Sequence, residues 1–352
     1  MDNKLKHDIL AVVAMGVMVK RRTLNMLHPS KKYVEKCVAE MYADKLIRRA
    51  PHCIVRLGPR ARSELTDDEW NLYLALSNND APGCDKLHVD AYVRASDFLC
   101  AAYAAGIIAQ FYRVPLIRAK ISELDYDFRE RSDQSVAVLR RDLKIEEQKQ
   151  QRMNGTRASG YIYSPGFCGT VISTNGRNLR VSRSGERQEA LLCSAERARV
   201  SNIETQIHQY EALLIAPSDG SLLHMLQQRN MRNTLAAAVY DRHCTGQEFR
   251  YIPANVDGVR GLWFFSQNST EDILHQQFTP EQIQAAAMYR CDALIGSMQA
   301  VEFLGCNLTK LLRFAGDPEV GVVCWDWQID FVSKLWRGNL KNARIIPYGG
   351  AS

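Results

Sequence analysis

Nine side chains between positions 30 and 60 are candidates for contacting nucleic acid, because of their types and their places in the local pattern. Lysine and arginine neutralise phosphates and donate to the edge of guanine, while serine and tyrosine hydroxyls donate to phosphate oxygens. The set is Ser30, Lys31, Lys32, Tyr33, Lys36, Arg48, Arg49, Arg56 and Arg60. Their chemistry favours a polyanionic partner, provided that the fold brings them to one surface.

The charge of the chain is concentrated in the same region. Residues 1–65 hold 14 Lys and Arg against 6 Asp and Glu, a net charge of +8, whereas residues 66–352 hold 31 against 33, a net charge of −2. A compact basic segment on a near-neutral body indicates either a polyanion partner or a solvated surface. The composition, 46% hydrophobic and 24% charged, is that of a globular protein and excludes disordered and collagen-like classes.

Local patterns predict which elements carry the basic residues. Apolar residues at helical spacing, followed by two short strand-like runs, predict helices over 7–15, 23–27 and 31–44 and strands over 46–49 and 53–57. His28-Pro29 ends the second helix because proline cannot continue it, and Ser30 can cap the third. The lysines therefore fall in the first turns of the third helix and the arginines on the strands and after them.

Three helices followed by a two-stranded hairpin resemble a winged helix-turn-helix DNA-binding domain. In that family the third helix enters the major groove with its N-terminal residues against base edges. The resemblance implies that residues 30–36 read the groove. Arg48, Arg49 and Arg56 match the wing, which meets backbone or minor groove, and Arg60 follows it near phosphate. The alternative is a winged helix that contacts protein and leaves its basic residues solvated.

A capping box, Thr66 with Glu69, predicts a further helix through Trp70 and Leu76. Such a helix either forms a homodimer or packs on its own domain. The turn-rich run 78–83 then predicts a boundary, with a winged-helix domain over 1–78 and a mixed α/β domain over 84–352. The fold class expected is α+β.

The body alternates helix-like and strand-like runs. Strand-like runs lie at 161–163, 170–174, 177–182, 212–216, 249–252, 261–265, 320–325 and 343–346. Asn175-Gly176 predicts a tight hairpin, because both turn residues need positive φ. Thr279-Pro280 begins a predicted helix with a capping box. The tract 123–152 contains 15 charged residues of both signs and is predicted to be an exposed helix or a mobile lobe.

Catalytic and metal-binding motifs are poor. Walker, dinucleotide-binding, HExxH and GxSxG patterns are missing from the sequence, and consecutive cysteines are at least 15 residues apart, so no CxxC occurs. A nuclease of the restriction-endonuclease type needs an Asp on one strand and Glu-x-Lys on the next. The acid-x-Lys triples considered, at 142–144 and 147–149, fall in the charged tract. The sequence leans against an enzyme and predicts no metal and no cofactor.

The layout of the whole chain is similar to the replication-relaxation group of plasmids and integrative mobile elements. The resemblance rests on the basic winged helix, the run Gly160-Tyr-Ile-Tyr-Ser-Pro-Gly166, a hairpin and a glutamate-containing helix. It implies a body with a degenerate restriction-endonuclease-like fold. Ser164-Pro165-Gly166 stands where an acidic residue would follow the strand, and no strand-borne Glu-x-Lys comes after it, which speaks against catalysis.

These observations together predict a sequence-specific protein of double-stranded DNA, acting as a regulator or as a replication or transfer accessory of a mobile element. A magnesium-dependent nuclease or relaxase and a protein-interaction adaptor are the alternatives. The uncharged run Phe98–Tyr112 is shorter than the about 20 apolar residues of a membrane span. The polar start of the chain lacks a secretory signal. A cytoplasmic protein and a possible homodimer are expected.

Overall fold

A computed structural model describes residues 3–79, 86–107, 136–139, 158–164, 166–174, 179, 210–228, 234–240, 247–289, 291–338 and 340–346. Helices and three mixed or antiparallel sheets occur together, which confirms the α+β class. No helix within these ranges has the length and apolarity that crossing a bilayer requires.

Residues 3–65, the head, contain the elements that the sequence predicts and one more strand. They are α1 (Asn3–Gly16), β1 (Val19–Lys20), a 3₁₀ helix (Arg21–Leu27), α2 (Lys31–Ala43), β2 (Ile47–Ala50), a 3₁₀ turn (Pro51–Cys53), β3 (Ile54–Leu57) and a 3₁₀ turn (Ala61–Glu64). The strands form an antiparallel sheet in the order β1-β3-β2. The two-residue strand β1 was missed, because two residues carry no periodic signal.

Two helices follow the head, α3 (Asp67–Asn79) and α4 (Lys86–Ala104). The predicted capping box is present: Thr66 Oγ1 accepts from the Glu69 amide at 3.3 Å, and Glu69 Oε2 accepts from the Thr66 amide at 2.9 Å. α4 packs on α1, β1 and the 3₁₀ helix Arg21–Leu27. At this contact Arg22 pairs with the buried carboxylate of Asp97 at 3.2 Å. Burial raises the pKa of Asp97, and the charge of Arg22 opposes that rise.

The body begins with a five-stranded sheet in the order β4-β5-β6-β7-β8. Its strands are β4 (Val136–Leu139), β5 (Gly160–Tyr163), β6 (Cys168–Ser173), β7 (Tyr210–Ala216) and β8 (Gln247–Pro253). The pairs β4/β5 and β5/β6 are antiparallel, and β6/β7 and β7/β8 are parallel. Between β7 and β8 lie α5 (Asp219–Gln227) and α6 (Leu235–Tyr240). β6 also contacts α4, so head and body share one apolar core.

A four-stranded sheet completes the body in the order β12-β11-β10-β9. Helices α7 (Val256–Gln267), α8 (Thr270–Gln277) and α9 (Pro280–Ala285) precede it, and α9 continues as a 3₁₀ turn (Ala286–Met288). Then come β9 (Ala293–Ile295), β10 (Met298–Glu302), α10 (Leu308–Arg313), β11 (Gly321–Trp325), a 3₁₀ turn (Asp326–Gln328), α11 (Ile329–Leu335) and β12 (Ala343–Ile346). In this sheet β9 and β10 are antiparallel, whereas β10 and β11, and β11 and β12, are parallel.

Two sequence-based assignments in the body were wrong. Residues 261–265, predicted as a strand, lie in α7, where Asn255 caps the helix and Gly258, Gly261, Leu262 and Phe265 form one buried face. Residues 136–139, part of the predicted helical tract 123–152, form strand β4, in which Ala137 and Leu139 are buried on one face. Short apolar runs do not by themselves distinguish a strand from a helix.

Among the other predictions for the body, some are confirmed and the rest stay predictions. The helix after Thr279 is present, with Pro280 at its start and a capping box between Thr279 and Gln282. The Asn175-Gly176 hairpin and both acid-x-Lys triples lie outside the described residues. The division at residues 78–84 stays a prediction, because α4 contacts the head on one side and β6 and α7 on the other.

We expect Gly58→Ala to destabilise the head. Gly58 closes against the turn between α2 and β2, and an added methyl group would overlap the Lys45 carbonyl group. Forcing extra volume into such a packed site costs about 1–3 kcal/mol, which urea unfolding measures. Gly220→Ala is the control, because the atom nearest to its added Cβ is 3.8 Å away. Equal free energies of unfolding for the two variants would contradict this account of the close approach.

Candidate nucleic-acid interface

The outward face of α2 carries the predicted lysines. Ser30 caps the helix, accepting a hydrogen bond from the Tyr33 amide at 3.3 Å, so the lysines begin directly at the helix N-terminus. The side chains of Lys31 and Lys36 are 71% and 74% exposed, and Lys32 is also exposed. The exposed cations therefore adjoin the end of the helix that attracts anions.

The exposure of these lysines follows from the opposite face of the helix. Val34, Cys37, Val38 and Met41 are each at most 2% exposed and join the core of the head. The burial of these residues, which are spaced three and four positions apart, confirms the predicted apolar stripe. Burial of that stripe fixes the rotation of α2 about its axis and leaves residues 31, 32, 35, 36 and 39 facing outward.

Two of the lysines are paired within the helix. Lys31 Nζ lies 3.8 Å from a Glu35 carboxylate oxygen, and Lys36 Nζ lies 3.9 Å from one of Glu40. Such exposed pairs contribute about 0.3–0.5 kcal/mol each, so they yield readily to a stronger anion. Lys32 forms no ion pair with any residue that the structure describes.

The hairpin β2–β3 brings two arginines face to face. Arg48 and Arg56 are direct cross-strand partners, with Arg48 exposed and Arg56 half-buried. Like charges at such a position are destabilising. The Nε atom of Arg56 is buried and has no hydrogen-bond partner within the described part of the chain. An anion placed against this pair would relieve the repulsion.

Tyr42 joins the hairpin to α2. The Arg49 guanidinium lies 5.0 Å from the centre of the Tyr42 ring, a cation–π distance. Burial raises the pKa of Tyr42, and the charges of Arg21 and Arg49 oppose that rise. Cations from the 3₁₀ helix and from β2 therefore lie together near the Tyr42 ring of α2. The sequence analysis missed Arg21 and Tyr42, although the exposed pair Arg21-Arg22 at the start of a helix could have signalled the former.

The remaining predicted residues lie at the margins. Tyr33 is half-buried, with its ring centre 5.0 Å from that of His28. Arg60 is exposed, and its amide donates to the Lys45 carbonyl oxygen at 3.1 Å, which holds it beside the α2–β2 turn. Its neighbour Arg62 pairs with Asp67 and stacks near Trp70. The nine predicted residues thus lie on α2, on the adjoining hairpin and just beyond it.

Arg250 is a buried cation of the body. Arg250 is 2% exposed and donates to both carboxylate oxygens of Glu211, at 3.0 and 3.3 Å, to the Gly305 carbonyl oxygen at 2.9 Å and to Thr270 Oγ1 at 3.2 Å. Its guanidinium also lies 5.1 Å from the ring centre of Phe265. This buried cation is satisfied by protein groups and ties β7 and β8 to α8.

A second interior group consists of two carboxylates and one lysine. Lys310 Nζ lies 2.8 Å from Asp292 Oδ1 and 3.2 Å from Glu302 Oε1. Burial alone would lower the pKa of Lys310, but the two carboxylates outweigh burial and raise it. Burial raises the pKa of Asp292, with Lys310 opposing and Glu302 adding to the rise. Sequence reasoning missed this group, because its members lie on β10, before β9 and on α10, eight and ten residues apart.

Within the described ranges, no group of three or more His, Cys, Asp or Glu side chains is arranged to hold a metal ion. The described hairpin strands β5 and β6 carry no acidic residue. Comparison of the chain with family models, with characterised proteins and with solved structures finds no match. The functional argument therefore rests on the geometry of the chain itself.

We expect Arg48→Glu to stabilise the protein in the absence of any ligand. The change replaces the repulsion with Arg56 by an attraction, worth about 0.2–1 kcal/mol, and urea unfolding at low salt measures it. Arg49→Glu is the matched control, since Arg49 lies opposite Val55 and loses its contact with Tyr42. Equal or lower stability of Arg48→Glu relative to the parent would show that the two arginines do not repel each other in the folded chain.

Proposed function

We propose that this chain is a sequence-specific double-stranded DNA-binding protein that uses the head as a winged helix. The observation that carries the proposal is the outward face of α2, which presents Lys31, Lys32 and Lys36 beside the arginine-bearing hairpin. The order of elements and the strand order β1-β3-β2 fit a winged helix. In this arrangement α2 enters the major groove and β2–β3 contacts the backbone or the minor groove.

The positions of the cations suggest which of them would contact phosphate. Lys31 and Lys36 lie towards the two edges of the outward face of α2 and fit phosphate contacts on either side of a groove. Arg48 and Arg56 gain most from a phosphate, because its charge removes their mutual repulsion. Each phosphate neutralised releases counterions, so affinity should fall steeply with salt.

The proposed biological role is that of a regulator or a replication or transfer accessory of a mobile element, acting in the cytoplasm. A homodimer would bind two half-sites separated by whole turns of DNA. The near-neutral body fits dimer formation or protein docking better than direct contact with DNA. If the head bound a protein instead, the chain would co-purify with that partner and bind no duplex.

Reversing the charges of the three exposed lysines of α2 should weaken duplex binding strongly. We expect Lys31→Glu, Lys32→Glu and Lys36→Glu combined to weaken binding by orders of magnitude. The slope of log affinity against log salt should become shallower by about 0.9 for each lost phosphate contact. Fluorescence polarisation with duplex DNA across a salt series measures both quantities.

The matched control reverses three cations of the body, Lys334, Arg337 and Lys341, which changes the net charge equally. The control should keep the affinity and the salt slope of the parent to within a few-fold. Equal loss of binding in both triple variants would attribute binding to overall charge and would contradict an interface on α2.

A second candidate function is cleavage of DNA by a magnesium-dependent nuclease. The specific observation is the approach of Asp292 and Glu302 to Lys310 at neighbouring strand ends. Mg²⁺ is commonly held by one or two carboxylates together with substrate phosphates, and a nearby lysine orients water. The same atoms also satisfy one another as a buried ion pair, with Glu302 Oε2 accepting from the Gly305 amide at 3.0 Å.

A supercoiled-plasmid nicking assay separates the two functions. If the chain is a nuclease, the parent nicks plasmid with Mg²⁺ or Mn²⁺ and not with a chelator, and Glu302→Gln abolishes nicking. Glu319→Gln is the control, because the Glu319 side chain is 83% exposed. Circular dichroism checks that Glu302→Gln remains folded. A parent protein that binds duplex but never nicks it would eliminate the nuclease and leave the DNA-binding proposal standing.

A further inference from the structure

The outward face of α2 is not uniformly basic. Residues of an α-helix are about 100° apart around its axis, which places Lys32 and Ala39 at the centre of this face. Glu35 lies on one side of that centre and Lys36 on the other, and all four residues are exposed. Between its two edge lysines, Lys31 and Lys36, the face therefore presents one cation, one carboxylate and one methyl group.

Glu35 is the residue that a purely phosphate-binding surface does not explain, since a carboxylate repels phosphate. Its pairing with Lys31 is a weak reason for its presence. The two atoms are 3.8 Å apart on exposed side chains, and lysine precedes glutamate, the less favourable order along a helix. The Glu35 carboxylate, 49% exposed, is available as an acceptor for a donor on a partner.

Major-groove base edges offer such donors. The N4 amino group of cytosine donates to carboxylates, and the O6 and N7 atoms of guanine accept from lysine. Glu35 and Lys32 are three residues apart on one face, so they reach neighbouring base pairs together. Ala39, one turn further on, has no long side chain to hold the helix away from the groove floor.

We propose that Glu35 is a specificity-determining residue that accepts a hydrogen bond from cytosine N4 at one fixed position of the DNA site, with Lys32 reading an adjacent guanine. This inference rests on the proposed function of the head as a duplex-binding unit. It names the ligand class as duplex DNA with a C·G pair under the N-terminal half of α2. Guanine or thymine at that position offers the carboxylate no donor, and the N6 amino group of adenine lies beside the N7 acceptor, which repels a carboxylate.

The experiment selects duplexes from a randomised pool with the parent protein, and then with Glu35→Gln and Glu40→Gln separately. The parent should prefer cytosine about tenfold or more at one position. Glu35→Gln should lose that preference and shift towards adenine, because a glutamine amide pairs with adenine N6 and N7. Glu40→Gln is the matched control, since Glu40 pairs with Lys36 as Glu35 does with Lys31, yet lies off the centre of the face.

The outcomes separate this inference from the function on which it rests. If Glu35→Gln selects the same bases as the parent, the assignment of Glu35 is overturned while duplex binding stands. If Glu40→Gln changes the cytosine position as much as Glu35→Gln does, the assignment is overturned as well. If the parent binds no duplex at low salt, the proposed function itself fails, and the inference fails with it.

Discussion

The rotation of α2 about its own axis is the constraint on which the account depends. Val34, Cys37, Val38 and Met41 are almost completely buried in the head, and a buried side chain of this size contributes about 1.5–3 kcal/mol. Turning the helix to hide its lysines would expose this stripe and bury charge. The packing of the core therefore decides which side chains face a partner.

Two cations of the body are enclosed by protein groups, whereas several cations of the head are exposed. In the body, Arg250 and Lys310 are enclosed, and carboxylates and backbone groups satisfy them. In the head, Arg48 and Arg56 oppose each other across two strands, and Lys32 has no ion pair among the described residues. The repulsion between Arg48 and Arg56 lowers the stability of the hairpin. Such a loss of stability is expected where a protein surface binds an external anion.

The sequence predicts part of this arrangement for physical reasons. The helical period of the Lys31–Ala43 segment, its serine cap and the preceding proline are local signals, so the helix and its exposed face could be predicted. The contact of Tyr42 with Arg49 and the group around Lys310 depend on residues brought together by tertiary folding, which no local pattern encodes. The segment 261–265 was misassigned because an apolar run of five residues suits either a strand or a buried helix face.

Hydrogen–deuterium exchange of the full chain, with and without duplex DNA at low salt, tests the central claim most directly. The account predicts slower exchange on DNA addition in residues 31–43 and 47–57, with little change in β7, β8 and the four-stranded sheet. Protection confined to the body, or no protection in the head at a DNA concentration that saturates binding, would contradict it.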